Sequence, residues 1–383
     1  AGAMTQLRLR RPSRRQVAWA VPVATIAAVA GVALIPSTAS ANAHPKLPAR
    51  SAAQLLAAVE SSAMTPLSGT VVETARLGLP SLPGADSASL SWQSLVTGSH
   101  TARVWMSGPQ HQRVALLGPL AESDVVRNGH DLWTYTSMTN EVSHTVLSAT
   151  TGRSTSTGET PGTDPRSLTP LAAAKQALQA IDPTTKVAVD LTQRVARQKA
   201  YTLVLTPRDT RSTVRKVTIA IDSRHFVPLR VQVFGVGARP ALETGFTDVS
   251  YRAPADSVFA FRAPAGARVV KDPYGLNGDR GRSGDQGKAE RPGPARPSAP
   301  ALGARTIGTG WTSIVELPAT VGASSNANAN ASLLTKLTTP VGTNGDRLLR
   351  TSLVNALLLK DGRVFLGAVS PALLEQTAAA TPR

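Results

Sequence analysis

Residues 103–147, RVWMSGPQHQRVALLGPLAESDVVRNGHDLWTYTSMTNEVSHTVL, alternate apolar and polar side chains through five short runs. The runs cover 103–107, 112–117, 123–127, 131–136 and 141–147, and Gly108-Pro109, Gly118-Pro119, Asn128-Gly129 and Thr139-Asn140 separate them. Successive side chains of a strand point to opposite faces. A period of two between tight turns therefore predicts an antiparallel meander with one face buried. Asn128-Gly129 predicts a type I′ turn, both of whose central residues need positive φ. Such a sheet can curl and wrap its apolar face around a greasy ligand.

A chain of 383 residues, 42% of them apolar, suffices for two domains or for one domain with appendages. It has no cysteine, which excludes disulfides, thiol catalysis, cysteine metal sites and a lipidated N-terminal cysteine. The net charge is +17, and Arg8, Arg10, Arg11, Arg14 and Arg15 crowd ahead of an apolar stretch. The other positive charges are scattered and few lie beside aromatics. That pattern suits anionic lipid headgroups or wall polymers better than nucleic acid.

Ala1-Gly2-Ala3 before Met4 reads as an expression scar. Residues 17–35 are apolar except for Thr25, and 39–41 and 41–43 both fit an A-x-A cleavage site. Basic, apolar and small-residue parts in this order predict a secretory signal, and the apolar run is also just long enough to span a bilayer. Cleaved signal and retained N-terminal membrane anchor both stay open. Either places the bulk of the chain outside the cytoplasm.

Residues 51–62 predict an amphipathic helix capped by Ser51, with Ala52, Leu55, Leu56 and Val59 on one face. Strands are expected at 67–77 and 89–96, a loop at 148–164 and a helix at 170–181. A second set of strands is expected at 186–195, 201–206, 214–222, 228–234 and 242–251, followed by a closing segment that packs Phe259 and Phe261 on the sheet. Composition then shifts to Gly, Pro, Arg and Asp, the signature of a flexible linker. Beyond it, a strand at 306–317, a loop at 324–331, apolar runs at 348–359 and 363–369 around Lys360-Asp361-Gly362, and a helix at 371–380 predict a small C-terminal α/β module. The expected domains are a signal or anchor at 1–43, a half-barrel at 44–270, a linker at 271–305 and the module at 306–383.

Three motifs recur in order: NG-x-x-LW-x-Y at 128–135, Y-x-L-x-LTP at 201–207 and F-x-F-x-x-P-x-G at 259–266. With the helix and strand that precede them, they give the chain a resemblance to the LolA-like lipoprotein carriers and the related RseB (MucB)-like envelope sensors, over about residues 51–270. The resemblance implies an α+β fold, an unclosed antiparallel β-barrel with helices covering its mouth, and a hollow that takes acyl chains. In the carriers an arginine before the turn proline bonds the lid; here that position is Gly108, so any latch differs.

The expected lipid-cavity residues are Leu55, Leu56 and Val59 of the covering helix, with Val104, Met106, Val114, Leu116, Val125, Leu132, Trp133 and Tyr135 of the strands. Trp133 and Tyr135 share one strand face, Leu132 and Thr134 the other, and ordinary packing between sheet and helix is the favoured account of the aromatics. Arg103 and Arg113 are candidates for a lipid phosphate at the rim, or else solvated strand charges. No histidine pair has metal-ligand spacing, and no G-x-S-x-G, H-E-x-x-H or P-loop occurs. GRSGDQG at 281–287 resembles a phosphate loop but no helix follows it. No cofactor, metal or catalytic residue is therefore expected.

The resulting expectation is a binding protein, not an enzyme. It would be exported, either secreted or anchored to the cell membrane, and would carry or sense a lipid or an acylated lipoprotein. The alternative is a regulatory module that binds a membrane anti-sigma factor or another envelope protein. A purely structural envelope protein is a third reading.

Overall fold

The alternating runs form strands, and the strands pair in chain order. The computed structural model describes residues 44–62, 65–78, 97–118, 121–147, 169–179, 181–271, 304–318 and 337–381. The expectations for 17–35, 89–96, 148–164, 281–287 and 324–331 lie outside these residues, as does most of the linker. Among the described residues no helix is long and apolar enough to cross a membrane.

The first meander comprises β1 (Leu67–Arg76), β2 (Thr97–Met106), β3 (His111–Leu117), β4 (Glu122–Asn128), β5 (Asp131–Thr136) and β6 (Glu141–Val146), each antiparallel to the next. The second comprises β7 (Thr185–Val195), β8 (Gln198–Pro207), β9 (Lys216–Asp222), β10 (Pro228–Phe234) and β11 (Leu242–Ser250). β11 returns to β1, and β12 (Arg268–Lys271) joins the far edge parallel to β6. The order β12-β6-β5-β4-β3-β2-β1-β11-β10-β9-β8-β7 is linear, so the 12-stranded sheet is an unclosed half-barrel.

The β4–β5 turn departs from expectation. Asn128 pairs with Asp131, which leaves Gly129 and His130 as the two-residue loop. Of the two, Gly129 alone has positive φ (64°). This is the type II′ pattern, in which only the first central residue needs a bare backbone.

Two short helices lie on the inner face. α1 (Ala52–Ser62) opens with a capping box: the Gln54 N–H donates to Ser51 Oγ (3.2 Å), and the Ser51 N–H donates to Gln54 Oε1 (2.9 Å). α2 (Pro170–Gln179) begins with proline, and its Ala172 N–H donates to Thr169 Oγ1 (3.2 Å). Leu55 and Val59 of α1 and Ala174 of α2 join Leu203, Leu205, Val217, Ile219 and Val231 in one core.

The C-terminal module is a six-stranded sheet with one helix. Its strands are β13 (Arg305–Ile307), β14 (Ile314–Leu317), β15 (Thr339–Val341), β16 (Asp346–Arg350), β17 (Asn355–Leu358) and β18 (Val364–Gly367), in the order β13-β14-β18-β17-β16-β15. α3 (Pro371–Ala380) closes it. Its strand pairs are all antiparallel, so the module is an antiparallel sheet rather than alternating α/β. The expected strand 306–317 is two strands, because Gly308 and Gly310 turn the chain at φ 79° and 60°. The apolar run 348–359 is likewise split, and Leu353, from the loop between its halves, is buried in the α1 core. The Ser352 N–H donates to the Leu77 carbonyl (2.9 Å), Ser352 Oγ to the Arg76 carbonyl (2.9 Å), and Trp311 Nε1 to Thr185 Oγ1 (2.7 Å). Backbone pairing and a buried leucine thus fasten the module to the main sheet.

Candidate functional site

Register defines the inner face strand by strand. Ala102 and Val104 of β2 stand opposite Leu116 and Val114 of β3, and Val114 stands opposite Val125 of β4. Leu67, Gly69 and Val71 of β1 stand opposite Met106, Val104 and Ala102. Val104, Met106, Val114 and Leu116 are buried together with Phe246 and Val249 of β11. Val125 is also buried. This makes an apolar floor running from β11 to β4. At Gly69 a Cβ would stand 2.8 Å from the Phe246 ring and 2.4 Å from the Asp248 carbonyl, so the ring lies on bare backbone.

Toward β5 and β6 the same face turns polar. Leu132 is half-buried opposite Arg127 and Thr145, and Thr134 Oγ1 shares a hydrogen bond with Ser143 Oγ. The inner face therefore joins an apolar floor to a wall that carries hydroxyls.

The expected cavity residues do not form one set. Leu55, Leu56 and Val59 pack against the β8–β10 portion of the face, away from the Val104–Val114 floor. Trp133 and Tyr135 project from the outer face, because alternate residues of β5 must point to opposite sides. Trp133 stacks on His144 (3.8 Å between ring centres) and on Phe261 (5.4 Å), and Tyr135 lies 6.5 Å from Phe261. Phe259 is buried beside His111. The closing segment packs both its aromatics on the outer face, and the two expected cavity aromatics receive it. Arg113 is likewise engaged on that face. It pairs with Asp124 (2.6 Å), lies 5.5 Å over Trp105, and donates to the Val258 carbonyl (3.4 Å). It is not a rim contact for phosphate. Arg103 is exposed on the same outer face.

Sequence reasoning missed Glu73. Register places it on the inner face between His100 of β2 and Thr244 of β11, at the seam of the two apolar clusters. Its Oε2 is buried without a hydrogen-bond partner among the described residues, and burial pushes its carboxyl up to about 7. The signal was present: a carboxylate at an inward position of the alternation Val71-x-Glu73-x-Ala75. Among the described residues no group of three or more His, Cys, Asp or Glu side chains could hold a metal. A cleft of about 630 Å³ in the C-terminal module interleaves Asp346, Asp361 and Glu375 with Lys360 and Arg363.

No family model matches the chain, and no curated protein matches it. Solved structures similar to it include the Pseudomonas aeruginosa MucA/MucB complex, with 16% identity, 85% of this chain and 96% of that one covered, and a TM-score of 0.41. An uncharacterized conserved protein from Thermus thermophilus matches at 16% identity over 57% of this chain and 98% of that one, with a TM-score of 0.34. A LolA superfamily protein from Nitrosomonas europaea matches at 14% identity over 56% and 99%, with a TM-score of 0.22.

Proposed function

We propose that the half-barrel, residues 44–270, holds an acyl chain on its inner face, so that the protein carries or senses a lipid or an acylated lipoprotein outside the cytoplasm. The observation that supports this reading most is the inner face itself: an apolar floor from β11 to β4 that passes into a hydroxyl-bearing wall at β5 and β6. An acyl chain fits the first and a polar headgroup the second. Binding energy comes from burying methylenes, about 0.8 kcal/mol each, and needs no catalytic group.

Val104, Met106, Val114, Leu116 and Val125 form the floor of the proposed site, and Leu132 its rim. Leu55, Leu56 and Val59 belong to a cover. α1 fully buries Leu55, Val59 and Ser62 and α2 Pro170 and Ala174, with Ala52, Leu56, Ala173, Ala177 and Leu178 partly buried on the same core, so the two short helices form the cover that a ligand would have to displace. Export rests on the basic, apolar and small-residue parts of residues 8–43.

Native mass spectrometry of the full chain isolated from its own membrane fraction, followed by organic extraction, tests the reading. A bound mass that extracts as lipid supports it. No extractable lipid, together with no uptake of a fluorescent acyl probe, overturns it. A second reading, a regulatory module for a membrane protein, draws on the second sheet fastened beside the first through Ser352 and Leu353. A stoichiometric protein partner in a pull-down without lipid would favour it.

A further inference from the structure

Two hairpin turns bring a set of cations to one end of the main sheet. The β7–β8 hairpin carries Arg194 at the end of β7, Arg197 in the turn and Lys199 at the start of β8, and the β9–β10 turn carries Arg224. The Ser223 N–H donates to the Lys199 carbonyl (2.8 Å), which ties the two turns together. Arg197 reaches Asp248 near the end of β11, so Arg252 just beyond that strand belongs to the same end. Arg50 lies 4.9 Å over the Phe226 ring of the second turn, where Phe226 itself takes φ 56°. All six cations are exposed.

Carboxylates do not balance them. Among the described residues, Arg197 alone of the six forms an ion pair. Asp222 in the second turn is buried, and its Oδ1 accepts the N–H groups of Arg224 and His225 to shape the turn, while Asp190, exposed between Val189 and Leu191, is one acid set against the six cations. By contrast, Arg113, Arg211, Arg268 and Arg363 elsewhere each meet a carboxylate.

Aliphatic surface adjoins the charge. Edge strand β7 leaves Leu191 64% and Val189 37% exposed. The chain enters beside them: His44 Nδ1 lies 2.7 Å from the Thr192 carbonyl, Thr192 Oγ1 donates to the Pro45 carbonyl (2.6 Å), and Tyr201 OH donates to the Pro48 carbonyl (3.0 Å). His44 follows the apolar stretch 17–35 by nine positions in sequence.

We propose that this end of the sheet, Arg50, Arg194, Arg197, Lys199, Arg224 and Arg252 with Leu191 beside them, is a docking surface for an anionic phospholipid bilayer. Unmatched cations draw headgroup phosphates, and exposed aliphatic side chains suit the boundary just below them. Nucleic acid is the poorer fit, since the aromatic faces at this end are already occupied, Phe226 by Arg50 and His225 and Tyr251 by each other, and the free surface beside the charge is aliphatic. The strap at His44 fastens the part of the chain that follows the apolar stretch to the same end. The surface is separate from the inner face, so its test does not depend on what that face holds.

The absence of cysteine makes the test direct. Ser223→Cys places one thiol on the β9–β10 turn, and Thr343→Cys places one on the C-terminal module as a reference. Each full-length variant is labelled with an environment-sensitive dye and reconstituted with phosphatidylcholine vesicles, with or without about 30% phosphatidylglycerol, at low salt and at about 0.5 M salt. The expected result is a blue shift at position 223 only with the anionic vesicles and at low salt, with no change at position 343. Arg194→Ser with Arg224→Ser should raise the lipid concentration at half-shift by about 25-fold, about fivefold per cation, and Arg→Lys at both should restore it. An equal shift with neutral vesicles, an equal shift at both labels, no shift at all, or a shift driven by a DNA oligonucleotide or a wall polymer but not by vesicles overturns the proposal. Residues 8–15 carry five arginines that also favour anionic vesicles, so the contrast between positions 223 and 343 and the Arg194→Ser, Arg224→Ser variant are what isolate the docking surface.

Discussion

The Phe246 ring lies against the backbone of Gly69 across the β1–β11 pair, and no side chain at position 69 can coexist with it. A Cβ there would stand 2.8 Å from the ring and 2.4 Å from the Asp248 carbonyl. Gly→Ala inside a strand is ordinarily favourable by a few tenths of a kcal/mol or more, because glycine gives up the most backbone freedom on folding. Here the sign reverses. Gly69→Ala should cost about 1–3 kcal/mol, the usual range for overpacking, read as a lowered midpoint in denaturant with unchanged slope.

Glu73 makes stability depend on pH in a defined window. Its carboxyl is raised from 4.5 to about 7 in the folded protein by burial. The folded state therefore favours the protonated form. That contribution is complete below pH 4.5, declines as pH rises, and is gone above about pH 7. Glu73→Gln should flatten the profile between these limits and stabilise the protein at pH 8 by up to about 3 kcal/mol. Equal pH profiles for the two proteins in urea melts would remove Glu73 from this role.

The two faces of the sheet should answer differently to substitution. Val114→Asn places an amide on the proposed floor and should weaken uptake of a fluorescent acyl probe by about tenfold or more. Trp133→Ala strips the outer face of its contacts with His144 and Phe261. It should cost about 2 kcal/mol of stability while leaving uptake within about twofold. Loss of uptake in Trp133→Ala with the fold intact would put the ligand on the wrong face for the reading proposed above.

Leu353 ties the C-terminal module to the core beneath α1. Its truncation to alanine leaves a void among Leu55, Val59 and Leu77 and should cost about 2–4 kcal/mol. The loss should fall at the junction. Amide exchange at Ser352 and Val236 should quicken, because the Ser352 N–H donates to the Leu77 carbonyl and the Val236 N–H to the Ser352 carbonyl across the junction. Uniform exchange changes across both sheets would show that the junction is not a separate unit.

Local pattern determined most of the strand content. The meander from β2 to β6, the capping box at Ser51 and the hairpin at Lys360-Asp361-Gly362 are each encoded within a few residues, by side-chain period or turn chemistry. The same alternation already separated Leu132 from Trp133. What it left open was which face would be inner, because both faces of β5 carry large side chains.

Tertiary structure decided that. The segment carrying Phe259 and Phe261 returns from far along the chain to cover Trp133 and Tyr135, which leaves Leu132 with Val114 and Val104 on the other side. The splitting of 348–359, the burial of Leu353 and the unbalanced cations at the β7–β8 and β9–β10 turns are of the same kind. Each depends on residues distant in sequence meeting in space. A carboxylate such as Glu73 shows the difference most clearly. Its position in the alternation was written in the chain, but its displacement toward pH 7 exists only once β2, β11 and the surrounding core have taken its water away.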